Sequence, residues 1–100
     1  MQSYQILPRT GTSMAEEWLG IGCDYQINNK FDDALRAYSN GLRIEPNNCP
    51  ITCNLGVMAA QQNNLNLACQ QLERSLLFDS TNATAWYDYT LVCLESEKID

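Results

Sequence analysis

Cys49 and Cys53 stand four positions apart, and Cys23, Cys69 and Cys93 complete a set of five cysteines in a 100-residue chain. Thiols so placed could bridge, ligate zinc or act as nucleophiles. Residues four apart on a helix hold their Cβ atoms about 5–6 Å apart, whereas a disulfide requires roughly 3.5–4.5 Å. The pair is therefore expected not to bridge. Two thiolates could supply part of a closed zinc site, but such a site takes four ligands, and no Cys-x-x-Cys occurs. Packing as small buried residues is the simpler reading. An odd cysteine count, with no basic start and apolar run in residues 1–14, favours free thiols in a reducing compartment, and so a cytoplasmic location.

Other chemistry is thinly represented. Histidine is absent, which removes the commonest general base and zinc ligand. Gly20-Ile21-Gly22 lacks the third glycine and preceding strand of a phosphate-binding loop. Asp32-Asp33 reads as acidic residues in a helix's first turn, favourable with the dipole and one turn before Arg36. Asn82-Ala83-Thr84 fits a glycosylation triplet, but Asn82 reads better as a helix start. We expect a non-enzymatic protein with no cofactor and no metal.

Twelve acidic and six basic residues give a net charge of −6, the wrong sign for a binder that tracks nucleic-acid phosphates. No apolar run approaches the ~20 residues that span a bilayer. The length is that of one domain, able to bury roughly 65% of its unfolded surface.

The elements that would position these residues repeat. A shift of 34 places lays Gly22 on Gly56, Ala34 on Ala68, Leu42 on Leu76, Asn29 on Asn63 and Asn48 on Asn82. Ile21 meets Leu55, Phe31 meets Leu65, Tyr38 meets Leu72, and two shifts carry Trp18 onto Trp86. Self-similarity at this period marks a helical repeat array. Asn28-Asn29, Asn47-Asn48 and Asn63-Asn64 punctuate apolar-periodic segments where short polar side chains hold turns. Ser13 to Glu16 reads as a capping box, Pro46 ends a second helix, and Pro50 suits the first turn of a third. Helices are predicted at 13–28, 31–45, 50–62, 65–79 and 83–97, an all-α chain whose short links make neighbours antiparallel.

This pattern resembles the tetratricopeptide repeat family, whose helix–turn–helix unit follows W-x₂-L-G-x₂-Y, A-x₃-F and P. Residues 15–48 carry Trp18, Ile21, Gly22, Tyr25, Ala34, Tyr38, Gly41 and Pro46 at those places. Residues 49–82 keep Leu55, Gly56, Ala68, Leu72 and Ser75, with Thr52, Ala59 and Ser80 replacing the Trp, Tyr and Pro. Residues 83–97 hold a first half only, with Trp86, Tyr89 and then Thr90 at the glycine place. The resemblance implies two repeats plus a half repeat or capping helix, stacked as a short right-handed superhelix after a 1–12 extension. Gly22 and Gly56 are expected where paired helices cross, faced by Ala34 and Ala68. Gly20 is expected to be exposed and tolerated. Trp18, Tyr25, Tyr38 and Trp86 are expected in the core.

The resemblance further implies a concave surface lined by the first helix of each pair, where an extended peptide lies. The inward residues should be Leu19, Cys23 and Gln26, then Cys53, Val57 and Ala60, then Tyr87, Leu91 and Leu94, with Asn54 as a polar contact. Family members that grip acidic carboxylate tails use basic residues there. Here Arg9, Lys30, Arg36, Arg43, Arg74 and Lys98 all lie outside the first helices, so no such clamp is expected. The function implied is a protein-interaction module taking an apolar or mixed segment of a protein or peptide partner, with no nucleic-acid or membrane partner. The alternative is the repeat arm of a larger enzyme, such as a glycosyltransferase or methyltransferase, that positions its protein substrate. The end at Asp100 suits either.

In the last helix, Trp86, Tyr89 and Cys93 are expected to pack back on the second repeat, with Asp88, Glu95 and Ser96 facing outward. Tyr87, Leu91 and Leu94 then form an apolar stripe in need of cover: a bound peptide, a second copy through self-association, or the chain's own Tyr4-Gln5-Ile6-Leu7-Pro8.

Overall fold

A computed structural model describes residues 3–99, with side chains to residue 97. Among the described residues five helices follow one another, α1 (Met14–Ile27), α2 (Phe31–Ile44), α3 (Cys49–Gln61), α4 (Leu65–Phe78) and α5 (Ala83–Ile99). Their limits fall within two residues of the predicted ones, because local signals set them. Four starts share one device, a side-chain oxygen accepting the N–H three residues on: Ser13 from Glu16 at 3.2 Å, Asn48 from Ile51 at 2.9 Å, Asn64 from Leu67 at 3.3 Å and Asn82 from Ala85 at 3.0 Å. Each satisfies a donor that the first helical turn would leave unpaired. The capping box at Ser13 is only half formed. The Glu16 carboxylate turns instead to the N–H groups of Thr10 and Gly11, at 3.0 and 3.4 Å.

The turns within the two pairs repeat in detail. Asn29 and Asn63 adopt left-handed φ values of 61° and 62°. Around them Lys30 N–H reaches Tyr25 O and Asn29 N–H reaches Gln26 O, while Asn64 reaches Ala59 and Asn63 reaches Ala60. These are paired six-to-one and five-to-two closures, with asparagine at the place glycine usually takes.

Helix pairs α1–α2 and α3–α4 pack most closely, α5 lies on α4 and touches α3, and α3 meets every other helix. Nine of the thirteen residues of α3 are buried, which makes it the centre of the molecule. One core cluster gathers Leu19, Ala34, Tyr38, Ile51 and Met58. The other gathers Cys53, Ala68, Leu72, Leu76, Ala85 and Val92, with Tyr4 and Leu7 packed against it.

The crossing glycines behave as expected, with one correction. A Cβ on Gly22 would overlap the edge of the Tyr38 ring, and one on Gly56 would stand 2.8 Å from Leu72 Cγ. The facing residues are thus Tyr38 and Leu72, one turn beyond Ala34 and Ala68, although Ala68 O would also stand 3.2 Å from a Cβ on Gly56. Gly41 makes a third close crossing, since a Cβ there would stand 2.5 Å from Ile51 Cδ1.

The aromatic core is smaller than expected. Tyr38 is fully buried, but Trp18 is half-buried, and Ile21, Tyr25 and Trp86 are 43%, 37% and 48% exposed. The cause is the stack's ends. Leu55, one shift from Ile21, packs into a cluster between α1, α2 and α3, while among the described residues no helix precedes α1 to cover Ile21. Likewise Tyr89 and Cys93 are only half-buried, and Thr90 is exposed with its hydroxyl on Trp86 O.

Candidate functional site

Residues 3–10 form no helix or strand and lie across the inner faces of α5, α3 and α1 in that order. Tyr87 Oη donates to Ser3 O at 3.3 Å. Asp88 Oδ1 accepts Gln5 N–H at 2.7 Å. The Asn54 side chain holds Leu7 from both sides, accepting its N–H at 2.7 Å and donating to its carbonyl at 2.8 Å. A Cβ on Gly20 of α1 would meet Arg9 Cδ at 3.1 Å. Gly20 is therefore half-buried beneath this segment, not freely exposed.

Gly20, Asn54 and Asp88 are one 34-residue step apart, and their partners Arg9, Leu7 and Gln5 are two residues apart. The segment thus advances two residues for each first helix it crosses. Two extended residues cover about 6.6 Å, somewhat less than the 8–10 Å between packed helices, and the Asp88, Asn54 and Arg9 side chains that make the contacts span the difference. Beyond Pro8 it borders a shallow hollow of about 370 Å3 lined by Arg9, Glu17, Gly20, Ile21, Cys23 and Asp24.

Of the predicted inward residues, Asn54 and Tyr87 bond the segment and Cys23 lines the hollow, whereas Leu19 sits in the first core cluster; most of the ten are closed to solvent. Leu19, Gln26, Cys53, Asn54 and Val57 are fully buried, Cys23 and Leu91 nearly so, and Ala60 is half-buried; Tyr87 and Leu94 remain more open. Gln26 is a structural link: it accepts from Tyr38 Oη at 2.6 Å and donates to Asn54 O and to Gln61 Oε1. This network fixes the backbone of α3 at the clamp residue. Of the α5 stripe, Tyr87 reaches the chain's own N-terminal segment through its hydroxyl on Ser3 O and Leu91 is buried, while Tyr87 and Leu94 stay 39% and 49% exposed.

Asp88 was expected on the outer surface and is instead completely buried. Burial raises its carboxyl from 3.8 to about 6, against the opposing pull of Gln5 N–H and the Cys53 thiol. Cys53 lies 3.7 Å from Asp88 Oδ2. Burial first, then the Asp88 and Cys49 charges, push that thiol far above its ordinary range. Such a thiol is inert as a nucleophile. Cys23 is raised by burial and by Asp24. All five cysteines are free. Among the described residues no three Cys, Asp or Glu gather as metal ligands, and no helix is long and apolar enough to cross a membrane.

The repeat itself could have located Asp88, because it stands one shift from Asn54, already placed on the inner face. Polarity suggested an outward position; register points inward. Comparison of the chain with protein-family models and with curated proteins finds no match.

Proposed function

We propose that the chain is a non-enzymatic, cytoplasmic protein-interaction module of the tetratricopeptide type, whose inner face takes an extended segment of a partner protein. The observation that carries this reading is the Asn54 clamp. Its side chain spends both its donor and its acceptor on one residue of an extended backbone, at 2.7 and 2.8 Å. Hydrogen bonds to the main chain with apolar contacts beside them are a general way to bind extended peptides. The partner is apolar or mixed in character, not an acidic tail, because Asp88, Glu17 and Asp24 would repel one.

Because the chain's own segment lies on this face, the test is run on two chains, wild type and Leu7→Ser. Each is used to select from a random peptide library, and the enriched peptides are titrated while backbone amides are followed. Shifts at Asn54, Asp88 and Leu91 are expected. No enrichment on either chain, or shifts confined to the outer faces near Leu35 and Leu77, would overturn the reading.

A further inference from the structure

We infer that residues 3–9 are an internal ligand of the inner face, and that a partner gains the site by displacing them with an extended segment carrying an aromatic residue, a leucine three positions on and a basic residue two beyond that. The inference rests on the function proposed above and names its ligand and its control.

Three observations carry it. First, the groups that hold the strap read its main chain: Asn54 engages both backbone groups of Leu7, and Asp88 takes the N–H of Gln5. Another extended segment can offer the same groups, provided that proline does not stand where Leu7 does. Second, specificity comes from a few side chains. Tyr4 and Leu7 pack on the second core cluster, whereas Ser3, Gln5, Pro8 and Arg9 are exposed. Arg9 borders the hollow that Glu17 and Asp24 also line, so a basic residue suits that place and an acidic one does not. Third, the hollow on α1 continues the face past the strap's last clamp, giving an incoming segment somewhere to seat before the strap leaves.

The probe is a labelled free peptide of residues 3–9, titrated by anisotropy against the full chain and against the full chain with Tyr4→Ser and Leu7→Ser. The double variant is expected to bind at least tenfold more tightly than wild type. Adding Asn54→Ala should abolish that binding. Probe peptides with Leu7→Pro or Arg9→Glu should bind at least tenfold more weakly. Equal binding to both chains overturns the inference yet leaves the proposed function standing, since the face would then take peptides without competition. No binding to a double variant of unchanged helicity also overturns it, and the library selection then judges the function separately. If the double variant fails to fold, hydrogen exchange on the wild-type chain decides. Gln5 and Leu7 amides should exchange at least a hundredfold faster than Val57. Equal rates would mean that the strap leaves only on global unfolding, and the inference would fall.

Discussion

Gly20 and Gly22 are two residues apart on one helix and have opposite reasons to be glycine. A side chain on Gly22 meets a ring held by a buried hydrogen bond, while one on Gly20 meets the flexible Arg9 side chain. Gly22→Ala is expected to lose about 1–3 kcal/mol through overpacking. Gly20→Ala should be neutral or gain up to about 1 kcal/mol in helix propensity. Urea denaturation of the two variants tests this, and equal midpoints would contradict it. Asp88 gives a second prediction at this scale. Its carboxyl titrates near 6 when folded and near 3.8 otherwise, so the folded chain binds the proton more tightly. Its contribution to stability is therefore fully present below about pH 4, declines as pH rises through 6 and is level above. Cys53 from α3, Tyr4 from the strap and Glu95 from α5 share its surroundings. Asp88→Asn should remove a decline on the order of 2–3 kcal/mol between pH 4 and 7, seen as a flatter stability profile. Parallel profiles for variant and wild type would refute the assignment.

At the scale of the element, most of the structure could be read in advance, because asparagine caps, prolines and turn residues act within four positions of themselves. What could not be read was which face of α1 and α5 meets solvent. Both helices have a neighbour on one side only, and periodicity is the same whether or not a second neighbour exists. Trp18, Tyr25 and Trp86 therefore lie shallower than periodicity suggests, and Asp88 deeper. The two asparagine turns yield a prediction. Left-handed backbone is open to glycine and tolerated by asparagine but strained for β-branched residues. Asn29→Gly and Asn63→Gly should leave thermal stability within about 0.5 kcal/mol, whereas Asn29→Val and Asn63→Val should each cost about 1–2 kcal/mol. Similar melting of the Gly and Val variants would show that these turns impose no conformational demand.

Across the whole molecule, α3 joins two clusters that otherwise belong to separate helix pairs. Ile51 sits in the first cluster and lies against Gly41 of α2, while Cys53, two residues on and so on the opposite side of the helix, belongs to the second. Ile51→Ala should cost about 2–5 kcal/mol, and its effect should spread. Hydrogen exchange is expected to accelerate in α1 and α2 and in α4 as well, since stacked repeats share stability through their interfaces. Acceleration confined to α1 and α2 would mean that the halves unfold independently.

The strap's contacts are also the most distant along the chain, 83 residues between Gln5 and Asp88 and 47 between Leu7 and Asn54. Helix pairs close over short separations and form early; such remote pairings come late. During synthesis at about 5–20 residues per second, Asp88 is made roughly 4–17 s after Gln5. For that interval Gln5 lacks its acceptor on Asp88, whereas Leu7 finds the Asn54 clamp as soon as α3 has folded. The strap is thus held first at its Leu7 end, and its Gln5 end is secured only when the last helix is complete.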